Sequence, residues 1–202
     1  YEGTVTVKGL DLKQDPVKVK SIIGYVPELA ELYEVLTPAE FLEFIGELYN
    51  MPFTQIKERV NGIMKVFGME GNINQRMDTF SKGMKQKVLI ASGIMHNPEI
   101  IILDEPLSGL DANSVILIKE LISNLAKEGK TIFYCSHMMD IVEKVSDRIV
   151  LIHEGQVIAN GSFEELQEQR GNKSLEKIFS DLTSAESPSL KAGELMKLFE
   201  RP

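Results

Sequence analysis

The sequence predicts an α/β fold built round a parallel sheet, and three observations carry that prediction. The first is Ile100-Ile101-Ile102-Leu103, an unbroken apolar run bounded by Asn97-Pro98 and Pro106. That is the pattern of a strand buried on both faces. The second is the order of the later elements: from Ile100 onward the patterns alternate β-α-β-α-β, as in parallel strands joined by crossover helices. The third is a compact helical insert, Glu31 to about Asn97, that separates the early strands from the later ones.

Each element has a local cause. Thr4–Val7 alternates and stops at Gly9, a short strand and turn. Ile22–Val26 is a second strand, closed by Pro27. Thr37-Pro38-Ala39-Glu40 is a capping box with proline at the first helical position. Behind it Phe41, Phe44, Ile45, Leu48 and Tyr49 recur at helical spacing. A second helix follows Thr54, with Ile56, Val60, Ile63, Met64 and Phe67 on one face and Gly68 to end it. A third begins at Ser81 and runs to about Met95.

After the Ile100 strand a helix of roughly Ala112–Glu128 ends at Gly129. Thr131–Ser136 is the next strand, with a short helix near Met139–Val145. Arg148–His153 and Gln156–Asn160 flank Glu154-Gly155, a good hairpin turn. Ser162 and Glu165 form a capping box for a polar C-terminal helix. Thr183–Ala192 reads as a linker, and Gly193–Pro202 is weakly amphipathic.

Composition narrows the function classes. The chain has 202 residues, 43% hydrophobic and 26% charged, ordinary values for a globular protein of one or two domains. Its net charge of −8 gives no electrostatic case for nucleic-acid binding. Three histidines and one cysteine give no zinc spacing. A single cysteine excludes an internal disulfide framework, and Cys135 is expected to be a small buried hydrophobe in its strand. No apolar run approaches the ~18–20 residues of a membrane span. No signal pattern is visible, the first residue is not Met, and the expected compartment is the cytoplasm.

The chemistry is concentrated at the end of the Ile100 strand, where Asp104 and Glu105 stand side by side. Ligands of open α/β sheets bind at the C-terminal ends of the strands. A Mg²⁺–nucleotide site needs both carboxylates there, one to hold the metal and the next to orient and deprotonate the attacking water.

Three further segments give this pair a context. Phe80-Ser81-Lys82-Gly83-Met84-Lys85-Gln86-Lys87 lies upstream, Leu107-Ser108-Gly109-Leu110-Asp111 comes directly after, and Ser136-His137 closes the next strand. In this order the series resembles the ATP-binding cassette of ABC transporters: signature loop, Walker B strand, D-loop and switch histidine. The resemblance spans roughly Tyr1 to Gly161.

It implies a P-loop NTPase (RecA-like) core with an inserted helical subdomain. The expected division is a β-rich part of the core at 1–30, the helical signature subdomain at 31–97, the core with Walker B and switch histidine at 98–161, and a C-terminal helical extension at 162–202. The resemblance implies that Asp104 associates with the metal, Glu105 is the catalytic base, and His137 reaches the γ-phosphate and the attacking water. Ser81 and Gly83 match the signature form Leu-Ser-Gly-Gly-Gln, with Phe80, Lys82 and Met84 in place of Leu, Gly and Gln. In the family that loop binds the γ-phosphate held by the opposite subunit, so a second ATPase subunit is implied. Asp111 matches the D-loop aspartate at the dimer seam and is also placed to cap the helix at Ala112. Glu28 stands where most cassettes carry a glutamine that senses Mg²⁺ and the membrane partner. ATP and Mg²⁺ are therefore the expected cofactors, and a transmembrane permease the expected partner. The expected location is the inner face of the plasma membrane. Leu32-Tyr33-Glu34-Val35-Leu36-Thr37 resembles bacterial export-type members.

One motif is absent. No Gly-x-x-x-x-Gly-Lys-Ser/Thr occurs in the 202 residues. Gly129-Lys130-Thr131 has Asn124 where the first glycine is needed. The chain looks like a cassette cut just after its P-loop helix, and as it stands it is expected to bind ATP weakly or not at all. The alternatives are a soluble non-transporter cassette and a non-catalytic, truncated or regulatory one.

Overall fold

Lys8 and Gly9 both take positive φ, 49° and 81°, and that pair turns the chain back on itself. The result is a short antiparallel hairpin of β1 (Thr6–Val7) and β2 (Leu10–Asp11). The early strand and turn were legible in sequence. The returning strand β2 and the next helix, α1 (Pro16–Ser21), were not, because two residues and six residues are too short to show a period. This computed structural model describes residues 2–28, 32–183, 196, 198 and 199. The segment 184–192 of the expected linker lies outside the described residues, as does most of 193–202.

The chain divides into two compact units, Tyr1–Ser136 and His137–Pro202. In the first, β3 (Ile23–Val26), β4 (Ile100–Asp104) and β5 (Thr131–Cys135) form a parallel sheet with β4 in the middle. Between β3 and β4 come α2 (Pro38–Leu48), α3 (Phe53–Val66) and α4 (Lys82–Ile94). The Thr37–Glu40 capping box forms in full. The stripe it starts is rotated from expectation: Phe41, Leu42 and Gly46 are buried, while Phe44 and Leu48 are exposed. Gly46 explains the rotation. A Cβ there would stand 2.7 Å from Ile56 Cγ1, so α3 crosses α2 at the residue that has no side chain. On α3 the buried positions are Ile56, Val60 and Met64, with Phe67 behind them.

α5 (Ala112–Lys127) links β4 to β5, and Ile118 and Ile122 are its buried apolar residues. Ile101, Leu103, Gly24 and Val26 share the covered face of the sheet. α4 lies so close to it that a Cβ on Gly24 would meet the Gly93 carbonyl oxygen. The other face carries Tyr25 and Phe133, 54% and 57% exposed, on either side of Ile102. β4 is thus buried on one face and partly covered on the other, not buried on both as its apolar run suggested. An apolar run records a preference for burial, while the neighbours that arrive decide whether it is met.

The second unit is built on α6 (Met139–Val145), the hairpin β6 (Ile149–His153) and β7 (Gln156–Gly161), α7 (Phe163–Arg170) and α8 (Leu175–Thr183). The turn is Glu154-Gly155, at φ 48° and 76°, and the Ser162–Glu165 capping box forms. The expected single C-terminal helix is two. Gly171 ends α7 in the left-handed region at φ 85°, and Leu175 and Ile178 of α8 join Ile149, Leu151 and Leu166 in the core. Among the described residues no helix is long and apolar enough to cross a membrane.

Candidate functional site

The parallel register determines what meets at the C-terminal edge of the sheet. Val26 pairs with Leu103, so Pro27 stands level with Asp104 and Glu28 one step further on. Asp104 pairs with Cys135 on the other side. Three carboxylates, Asp104, Glu105 and Glu28, are therefore delivered to one edge by two neighbouring strands. Carboxylates are hard oxygen donors of the kind Mg²⁺ takes, but among the described residues no three His, Cys, Asp or Glu side chains converge closely enough to hold a metal ion by themselves.

Glu105 is the most constrained of them. Its φ is +46°, a left-handed conformation that costs a residue with a Cβ about 1–3 kcal/mol and survives only where its surroundings over-determine it. Those surroundings are explicit. The Glu105 amide donates to the Cys135 carbonyl at 3.0 Å. The Ser108 amide donates back to the Glu105 carbonyl at 3.1 Å, closing a turn over Pro106-Leu107. The Ser136 hydroxyl donates to Glu105 Oε2 at 3.0 Å. The half-buried residue is thus held through its backbone by Cys135 and Ser108 and through its carboxylate by the Ser136 hydroxyl.

Cys135 is exposed, which corrects the expectation of a buried hydrophobe. It lies on the less covered face of the sheet, at the edge where the carboxylates gather. Desolvation, then the charges of Asp104 and Glu105, raise its thiol pKa, so it is not a thiolate at neutral pH.

Ser81 caps α4: its hydroxyl accepts from the Met84 amide at 3.3 Å. The ordinary capping role is therefore real, and it leaves the Lys82 and Gly83 amides heading the same first turn, where anions are favoured. Gly83 is packed against the post-β4 loop so closely that a Cβ would lie 2.6 Å from the Gly109 carbonyl oxygen. Asp111 caps α5, accepting from the Ser114 amide at 3.0 Å and the Ser114 hydroxyl at 2.5 Å. The hydroxyl first, and then the amide, hold its carboxyl down to about 2. Lys87 on α4 lies 3.7 Å from Asp111.

The first unit thus brings Ser81, Gly83, Asp104, Glu105, Asp111 and Glu28 onto α4, the edge of the sheet and the loop between β4 and α5. His137 comes directly after Ser136 in the chain and opens the second unit. Sequence reasoning missed Gln86. It is 3% exposed, and its amide nitrogen donates to the Pro106 carbonyl at 3.2 Å. The available signal was a polar residue on the buried side of a helix otherwise lined by Val88, Leu89 and Ile90.

Comparison with known proteins identifies the family. The family model described as ABC transporter matches residues 1–108. The ATP-binding protein NatA of Bacillus subtilis is 40% identical over 179 residues, 88% of this chain and 73% of NatA. The linearmycin resistance ATP-binding protein LnrL of the same organism is 35% identical over 86% of this chain, which spans 56% of LnrL. A solved ATP-binding subunit of an ABC transporter superposes with a TM-score of 0.84 at 29% identity, over 91% of this chain and 77% of that one. By the family match, by its likeness to NatA and by the shared α/β fold, the chain belongs to the family of ABC transporter ATP-binding proteins.

Proposed function

We propose that this protein is the ATP-hydrolysing subunit of an ABC transporter, with Glu105 as the base. The observation that carries the reading is the Glu105 carboxylate itself, fixed at a parallel-strand end by left-handed backbone and by the Ser136 hydroxyl. In the reaction a water oxygen attacks the γ-phosphorus and the bond to the β-bridging oxygen breaks. ADP leaves, and the proton of the water passes to Glu105. Asp104 and Glu28 would hold Mg²⁺, which supplies charge neutralisation on the β- and γ-phosphates when bound. His137 orients the γ-phosphate and the water. Ser81 and the Gly83 amide receive the γ-phosphate of a nucleotide carried by a second ATPase subunit, with Asp111 at the seam.

The segment 31–97 then acts as the signature subdomain that engages a transmembrane permease, and 98–161 as the catalytic core. Such a subunit works at the cytoplasmic face of the plasma membrane. Export is favoured by LnrL, whose name is that of a resistance protein. The test is Glu105→Gln in the full-length gene product. It keeps the shape and the hydrogen bond to Ser136 but removes the base, so ATP binding persists and turnover falls at least ~100-fold. Turnover near the parental rate ends this assignment.

A further inference from the structure

We propose that Lys82 is a positioning residue for Glu105, acting through Ser108; the proposal rests on the reading of Glu105 as the base. Lys82 occupies a place where the common signature form has glycine, so its side chain is a feature of this chain. Its ammonium donates to the Ser108 hydroxyl at 2.8 Å. Its methylenes cross directly over Gly109, where an added Cβ would stand 2.9 Å from Lys82 Cδ and 3.0 Å from Cγ. Gly109 sits at φ +75°, and its missing side chain is the space the lysine stem uses.

Ser108 is not an arbitrary acceptor. Its amide closes the turn that begins at Glu105. One helical turn along α4, Gln86 donates to the Pro106 carbonyl in the middle of the same turn. Residues i and i+4 share a helix face, so α4 grips the 105–108 turn at two points. A non-glycine residue at φ +46° needs such restraint. The gripping helix begins at Ser81 and Gly83. The loop expected to receive one nucleotide and the base expected to act on another are thereby joined by a short, direct route through Lys82.

The Lys82 bond is solvent-exposed and of ordinary strength, so breaking it changes rates modestly, about 2- to 10-fold. Lys82→Met is the informative variant, since it keeps the stem over Gly109 and loses the donor. Ser108→Ala removes the acceptor. In the full-length gene product, amide exchange at Ser108 should speed up by about 2- to 10-fold in Lys82→Met. Steady-state hydrolysis should show kcat lowered by a similar factor in either variant, with KM for ATP unchanged. The double variant should be no worse than the poorer single one. Unchanged Ser108 exchange overturns the proposal, as do additive losses, an unchanged kcat, or a raised KM at constant kcat. The last outcome would make Lys82 a nucleotide contact. A parent protein that turns over no ATP sinks the functional reading instead, and Ser108 exchange still decides the Lys82 grip.

Discussion

Replacing Gly83 by alanine tests how tightly α4 is seated on the loop after β4. At the second position of a helix, and with φ in the ordinary negative range, Gly→Ala normally stabilises. It lowers the entropy of the unfolded chain and improves helix propensity, together about 0.4–1 kcal/mol. Here the new Cβ would lie 2.6 Å from the Gly109 carbonyl oxygen, well inside any real Cβ contact. The obstacle is backbone, and Gly109 is itself held at φ +75°, so it cannot swing aside at low cost. Overpacking of this kind costs about 1–3 kcal/mol. The clash outweighs the propensity gain, for a net loss of about 1 kcal/mol. In a protein of this size that lowers Tm by about 2–4 °C. The effect on catalysis is larger than the effect on stability, because the loop that must yield starts at Glu105. A displacement approaching 1 Å costs up to ~100-fold, and a loss of at least ~10-fold in kcat is expected. Thermal unfolding observed by circular dichroism and steady-state hydrolysis in the full-length gene product measure the two effects. A Tm that rises with kcat intact would refute the close packing of Gly83 on Gly109 as the reason for glycine at this position.

Two further expectations concern pH. The Asp111 carboxyl is held down to about 2, first by the Ser114 hydroxyl and then by its amide, so the folded state takes up its proton at lower pH than the unfolded chain. The stability this contributes is complete above pH ~4, the ordinary carboxylate value, and is lost as pH falls towards ~2. Asp111→Asn keeps a capping side chain and should flatten that part of the acid limb in urea midpoints between about pH 5 and 2; an unaltered slope means that Asp111 does not shape the acid limb. His96 is shifted downwards, chiefly by burial. It stacks on Tyr49 with ring centroids 3.6 Å apart, and its Nε2 meets the Ile23 carbonyl at 3.1 Å. Among the described residues its buried Nδ1 has no partner, so a proton arriving there meets no acceptor among them, and the Arg59 and Lys130 charges oppose it further. Stability should be complete above pH ~6.5 and fall below it. His96→Phe preserves the stack and should abolish the change in urea midpoint between about pH 7.5 and 5.5; a change that persists in this variant assigns it to other groups.

What the sequence determined by itself was local in origin. Thr37 with Glu40, Ser162 with Glu165, and Glu154-Gly155 encode their caps and turn within four residues. Such signals survive because they are satisfied by near neighbours whatever the rest of the chain does. The apolar run at Ile100 and the carboxylates at its end were legible for the same reason, and with them the parallel core and the position of the candidate site. Tertiary structure decided what lies opposite each residue. The buried stripe of α2 turned towards Leu42 and Gly46 because α3 crosses at Gly46. Cys135 came out exposed because it lies on the less covered face of the sheet. The left-handed backbone of Glu105, the Gln86 contact to Pro106 and the Lys82 contact to Ser108 were equally hidden. Each joins segments about twenty or more residues apart. A pairing at that range depends on how α4, β4 and β5 stack, and no pattern of neighbours along the chain records it.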